Sequence, residues 1–184
     1  MDLWAARKVF RGGYARVIDV GSRVDGYIAH VLTFRSIEVL DVRELRSPDK
    51  ALIFRKHDVL NGPTPTNDAD CVSCLHALEH FGLGRYGDNI DLDGWRKGLD
   101  GLVRMLRVGG ALLVAVPIGR QRIEFDANRI FDARSFVKEC ESKGLALRSF
   151  SYIDDNGAFN DNVDVPDTAG MDYACGCFEF ERYA

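Results

Sequence analysis

Residues 111–117, ALLVAVP, are apolar at every position rather than at every second one. A half-exposed strand sends alternate side chains into water, so an unbroken apolar run needs cover on both faces. The run therefore predicts the central strand of a parallel sheet with helices on each side. Four more short runs read as strands: 16–20 (RVIDV), 36–40 (SIEVL), 51–54 (ALIF) and 71–75 (CVSCL). Segments of helical spacing fall between them, the alternation expected of an α/β fold. From Trp95 onward, Leu99, Leu102, Val103 and Leu106 form one apolar stripe, which Gly109-Gly110 is expected to end. A further helix starts near Asp132 or Ser135, buries Phe136, Val137 and Cys140, and stops at Lys143-Gly144. Two strand-like runs, 145–153 and 174–183, flank a polar stretch, 154–172, that holds Asp154, Asp155, Asp161, Asp164 and Asp167. That stretch reads as a functional loop rather than a packed element. The expected architecture is one domain over residues 1–184, a doubly wound sheet of five parallel strands followed by a C-terminal antiparallel pair.

Composition narrows the function classes. The 184 residues suffice for a single real core. Acidic residues number 28 against 24 basic ones, with the two signs interspersed, and a net charge of −4 lacks the basic excess of a nucleic-acid binder. No run approaches the roughly eighteen apolar residues of a membrane span, and the start, MDLWAARKVF, lacks the features of a secretory signal. A cytoplasmic protein without a transmembrane segment is expected. Five cysteines, an odd number, suit reduced thiols. Cys71 and Cys74 lie three apart on a strand and face opposite sides, so they cannot clasp one metal. Cys175 and Cys177 share a face, but two thiols do not complete a zinc site, and packing is expected for them. Residues 1–15 leave no room for a helical lid ahead of the first strand. Trp4 and Phe10 in that extension pack on the domain or on a partner, with no spacing rule to choose, and the oligomeric state is open.

The chemistry concentrates at residues 17–26, VIDVGSRVDG, where a buried strand ends in Asp-x-Gly and runs into the helical pattern of Tyr27, Ile28, Val31 and Leu32. Glycine just past a strand lets a ligand approach the backbone, and the helix start offers free N–H groups. A nucleotide-like ligand fits there. A second strand ends at Asp41, 22 positions after Asp19, near the spacing of an acid that grips ribose hydroxyls.

VIDVGSRVDG, the acid in VLDVRE, Asp58 in RKHDV, DADCVSCLHALEHF and RMLRVGGALLVAVP resemble, in that order, the successive motifs of class I S-adenosylmethionine-dependent methyltransferases. HFGLGRYGDNIDLDGW, VPIGRQRIEFDANRIF and FSYIDDNG are similar to a small family of uncharacterised methyltransferase-like proteins often associated with surface-glycan biosynthesis. The resemblance implies S-adenosyl-L-methionine as cofactor, with Asp19, Gly21 and Ser22 at its methionine end, Asp41 at the ribose, Asp58 facing the adenine amino group, and Val42, Val59 and Leu75 beside them. The chain departs from the Asp-x-Gly-x-Gly-x-Gly pattern: Arg23 and Asp25 stand where glycines belong, and Gly26 is displaced by one. Either the bulkier loop leaves its backbone donors free, or it closes the pocket. A dinucleotide-dependent oxidoreductase is disfavoured by the same mismatch, because pyrophosphate needs those glycines.

His76-Ala77-Leu78-Glu79-His80 sits where such enzymes join cofactor to acceptor. It matches the His-x-x-Glu-His string of certain zinc proteases, but it follows a buried strand rather than lying on a helix of that fold. Similar ubiquinone-pathway O-methyltransferases carry a cation-holding string here, so a divalent cation at His76, Glu79 and His80 is an alternative, though no metal is predicted. A sugar hydroxyl is a poor nucleophile that benefits from a general base. His80, oriented by Glu79, is the first choice and His76 the second; His30 and His57 are read as structural. Loops after the fourth and fifth strands, with Arg85, Tyr86 and Asp88, then Arg120, Arg122, Glu124, Asp126, Asn128 and Arg129, border the same crevice and suit a small-molecule or glycan acceptor. The expected activity is O-methylation of a sugar, nucleotide sugar or glycan hydroxyl. The rivals are a catalytically silent scaffold in a glycan-assembly complex and N-methylation of a small metabolite.

Overall fold

A computed structural model describes residues 1–62, 67–87, 89–124 and 128–183. In chain order the elements are α1 (Asp2–Gly12), β1 (Val17–Val20), a π-helical turn (Val24–Ile28) leading into α2 (Ala29–Leu32), β2 (Ile37–Asp41), β3 (Leu52–Lys56) and β4 (Ala69–Leu75). A 3₁₀ turn (Leu78–His80) precedes α3 (Gly94–Met105), β5 (Leu106–Ile118), β6 (Arg122–Ile123), β7 (Arg129–Ile130), α4 (Ala133–Ser142), β8 (Leu145–Ile153), β9 (Phe159–Asn160) and β10 (Ala174–Arg182).

The main sheet has the order β3-β2-β1-β4-β5-β10-β8-β9. Its first five strands are parallel and the rest run antiparallel to their neighbours. The expected five parallel strands are present, but the sheet has eight strands rather than seven. The eighth, β9, comes from the stretch read as a loop, where Asp154 accepts hydrogen bonds from the N–H groups of Asn156 and Ala158 and turns the chain back onto β8. The same stretch is packed elsewhere too: Thr168 is fully buried and accepts from Ala133 N–H. A separate ribbon pairs β6 with β7.

Each face of the sheet has its own core. On one, α3 and α4 bring Trp95, Leu99, Leu102 and Phe136 onto Ile18, Val72, Leu112, Val114 and Phe178. On the other, α1, the π-helical turn and α2 bring Trp4, Ala5, Val9, Tyr27 and Val31 onto Val17, Val39, Cys71, Leu113 and Cys177. Cys71 and Cys74 face opposite layers, as strand alternation requires. Each large apolar side chain buried in this way contributes about 1.5–3 kcal/mol.

Three boundaries differ from the sequence reading. The segment 1–15 does contain a helix, because Trp4, Ala5, Ala6 and Val9 form a buried stripe on α1; Phe10 is left outside, 67% exposed and edge-on to Phe34 at 5.3 Å. Helix α3 stops at Met105, and Gly109-Gly110 lies inside β5, where the pairing with β4 shifts register between Ala69 and Cys71. The glycine pair therefore serves a bulge and not a helix end. Helix α4 begins at the first of its two expected positions, since the Asp132 carboxylate accepts from Ser135 N–H at 2.8 Å.

Candidate functional site

The carboxyl ends of β1, β2 and β4 open onto one crevice, the position at which doubly wound sheets bind ligands. Its deeper part is a small cavity, about 60 Å³, bordered by Val20, Gly21, Leu40, Asp41, Asp58 and Val59, with Leu60, Phe81 and Tyr86 adding apolar and aromatic wall. The outer part runs past Ser22, Arg23, Asp25, Leu75, His76, His80 and Arg85 to Met1 and Asp2. Helix α1 thus reaches the crevice with its first turn.

The loop after β1 is built for close approach. Gly21 has a φ of +74°, and a side chain there would lie 2.9 Å from the Ala77 Cβ. Its N–H donates to Leu40 O at 2.9 Å, which ties the loop to β2. Asp19 lies beneath the loop, not in the cavity wall: it is fully buried and accepts from Ser22 Oγ at 2.6 Å, Ser22 N–H at 3.0 Å and Ser73 Oγ at 2.7 Å. Ser22 Oγ in turn accepts from Leu75 N–H at 3.0 Å. Burial pushes the Asp19 carboxyl up to about 6, against the pull of these hydrogen bonds. The expectation that Asp19 lines the methionine end is corrected, because its oxygens are used in clamping the loop to β4.

Arg23 and Asp25, the bulky replacements for glycine, do not close the pocket. They pair with each other at 2.6 Å, exposed at the rim. Gly26 serves a different purpose, since a side chain there would lie 2.7 Å from an Asp2 carboxylate oxygen at the start of α1.

Asp41 ends β2 at the cavity edge, and its carboxylate holds Arg43 through both oxygens, Nε to Oδ1 at 3.0 Å and Nη2 to Oδ2 at 2.7 Å. Arg43 also lies 4.8 Å from the centre of the Tyr86 ring. Val42 is half-exposed beside it, and Val59 is buried in the wall. Asp58 borders the cavity and accepts from Leu60 N–H and Asn61 Nδ2. His57, read as structural, borders the same cavity, with its Nε2 buried and without a hydrogen-bond partner among the described residues.

The residues from β4 into the 3₁₀ turn come together differently from expectation. Glu79 is buried, and its Oε1 lies 2.9 Å from His76 Nδ1 but 3.9 Å from His80 Nε2. It therefore orients His76 and not His80, a correction that follows from the i, i+3 spacing across the turn. The second face of His76 meets Cys175 of β10, Nε2 to Sγ at 3.3 Å. Burial disfavours charge on His76, but the hydrogen bonds to Cys175 and Glu79 outweigh it and raise its pKa. His80 borders the crevice, edge-on to Tyr86 at 5.8 Å. No group of three or more metal-ligating side chains gathers among the described residues.

The expected acceptor residues separate. Arg85 and Tyr86 border the crevice. Arg129 is buried and donates to the carbonyl oxygens of Glu79, Phe81, Asp91 and Leu92, so it holds the loop after β4 in shape. Asn128, also buried, donates to Arg129 O and accepts from the Tyr173 hydroxyl. Arg122 is committed to Glu124 and Asp172, and Arg120 is exposed on the neighbouring turn. Asp88 and Asp126 lie outside the described residues. Sequence reasoning missed Arg43 and Cys175; the first stands two residues past a strand end, and the second becomes visible only through the β5–β10 pairing.

Residues 29–137 match a family described as Caenorhabditis protein of unknown function, DUF268, well over half of the chain. The chain belongs to this family. Its description assigns no activity, and no curated protein matches the sequence. Among solved structures, the [4+2]-cyclase SpnF superposes with a TM-score of 0.71 at 14% identity, over 100% of this chain and 82% of that one. The Burkholderia thailandensis 1,6-didemethyltoxoflavin-N1-methyltransferase, solved with S-adenosylhomocysteine, gives 0.66 at 13% identity, over 100% and 79%. The N-methyltransferase NodS from Bradyrhizobium japonicum, also with S-adenosylhomocysteine, gives 0.62 at 12%, over 98% and 86%. This member of DUF268 therefore has the Rossmann-like methyltransferase fold. Among the described residues no helix is long and apolar enough to cross a membrane.

Proposed function

We propose that this DUF268 protein is an S-adenosylmethionine-dependent methyltransferase that methylates a hydroxyl of a sugar, nucleotide sugar or glycan. The observation that carries the reading is the cavity at the ends of β1, β2 and β4, with an acid at the β2 end and, at the β1 end, a glycine of positive φ packed against Ala77. These residues fit the cofactor. Leu40, Val59, Leu60 and Phe81 offer apolar cover for a flat purine, Asp58 lies beside it, and Asp41 offers acceptors to ribose hydroxyls. Gly21 and Ser22 border the path to the outer crevice, where the methionine portion would lie.

S-adenosylmethionine, when bound, supplies a methyl group on a positively charged sulfur, already activated for in-line transfer. The protein's task is to align the acceptor and remove its proton. His80 is assigned as the base, because both ring nitrogens of His76 are already engaged, by Glu79 and by Cys175. Arg85 and Tyr86 at the rim supply directional contacts suited to a polyhydroxylated acceptor. One observation favours the cofactor-free scaffold as a second reading: Arg43 already occupies both oxygens of Asp41.

Calorimetric titration with S-adenosylmethionine and S-adenosylhomocysteine separates the two. Binding is expected in the wild type, and Asp41→Ala should weaken it by about 1.5–3 kcal/mol, on the order of tenfold to hundredfold. Absence of binding to the folded wild type would overturn the enzymatic reading. At saturating acceptor, His80→Ala should lower kcat by about 10² to 10⁴, and a loss below about tenfold would reassign the base.

A further inference from the structure

Cys175 is the most accessible of the five cysteines; the other four are buried. It stands near the start of β10, opposite Pro117 of β5 and Ile153 of β8. This register turns its sulfur toward His76 at 3.3 Å, while the far nitrogen of the same ring meets the Glu79 carboxylate at 2.9 Å. Carboxylate, imidazole and thiol thus form a line, the arrangement in which a histidine holds a cysteine ready as a nucleophile. The line is set by backbone as well as side chains. His76 has a φ of +53°, a left-handed conformation that costs a histidine free energy, and its N–H donates to Ala115 O at 2.9 Å. The second oxygen of Glu79 is buried without a hydrogen-bond partner among the described residues, so the carboxylate is committed to His76 at a cost that packing alone does not explain.

We propose that Cys175, set by His76 and Glu79, is a nucleophilic thiol and a covalent modification site for hydroperoxides. The inference does not depend on the methyl-transfer reading. The charged and titratable groups around the sulfur are His76 just past β4, with Glu79 of the 3₁₀ turn behind its ring, Cys177 on the same strand, Tyr173 just before it, and the amino group of Met1 ahead of α1. The S–H of Cys177 and the charge on His76 hold the Cys175 pKa below the usual thiol range, while burial opposes them. The sulfur attacks one peroxide oxygen and forms an S–O bond as the O–O bond breaks. The departing hydroxide takes the Nε2 proton of His76 and leaves as water; sulfur is oxidised by two electrons to the sulfenic acid and the peroxide is reduced.

The test is oxidation of the whole protein with hydrogen peroxide in the presence of dimedone, read by peptide mass spectrometry from pH 6 to 8. Cys175 should be tagged in preference to the other four cysteines, with a rate that changes less than about threefold across that range. An ordinary thiol would rise roughly 50- to 100-fold over it. His76→Gln should restore the ordinary rise, and Glu79→Gln should shift it part of the way. A wild-type rate that rises like that of an ordinary thiol, or tagging of Cys175 only in urea, overturns the proposal, and neither result requires a variant to fold.

Discussion

The two halves of the sheet are built for different tasks. In the antiparallel half, Phe178 and Phe180 of β10 stack at 5.9 Å, and Phe136 and Phe150 close on Phe178 at 5.0 and 4.8 Å, all of them buried. The parallel half carries instead a fully buried carboxyl at Asp19, a left-handed glycine at Gly21 and a left-handed histidine at His76. One half supplies stability through dry packing. The other holds buried charge and backbone strain in place, which that stability makes affordable.

The largest expected effect lies in the dry half. Phe178→Ala should lower unfolding stability by about 3–5 kcal/mol in urea titration, while cofactor affinity of the folded fraction stays within about twofold. A large loss of affinity would show that the halves are not separable. Next comes Gly21→Ala, which should cost about 1–3 kcal/mol from the positive φ together with contact on Ala77. Combining it with Ala77→Gly should recover the steric part only, as measured by the same titration. Full recovery would deny the strain.

Taken per pH unit, the smallest effect is a pH dependence. The Asp19 pKa is raised from 3.8 to about 6 in the folded state, so between those values the folded protein binds more protons than the unfolded chain. The contribution of Asp19 to stability is greatest below pH 3.8 and is lost as pH rises toward 6. The stability difference between wild type and Asp19→Asn should therefore turn against the wild type by up to about 1.4 kcal/mol per pH unit across this window and flatten above it. A flat difference throughout would mean that Ser22 and Ser73 stabilise the carboxylate fully.

What could be read in advance follows the range of the interactions. Apolar runs such as 111–117 announce parallel strands because cover on both faces leaves a local imprint on composition. Helix α1 gives a weak pattern because two of the four residues in its buried stripe, Ala5 and Ala6 beside Trp4 and Val9, are alanines, which carry little hydrophobic signal. The placement of Gly21 and Asp41 at strand ends beside one cavity is legible, since strand ends are set within a few residues. Arg129 was misjudged as a substrate contact because the carbonyl groups that bury it come from positions 79–92. Cys175 had no local signal at all. Its meaning arises from a pairing that brings it within reach of a residue 99 positions earlier.

Strand β10, the last strand in chain order, lies between β5 and β8, both of which are made before it. Strand β8 is joined to β5 only through β10, so without residues 174–182 the parallel part of the sheet ends at β5 as an open edge, able to capture a neighbouring chain. The same pairing brings Cys175 to His76, so closure of that edge and assembly of this cluster are one event.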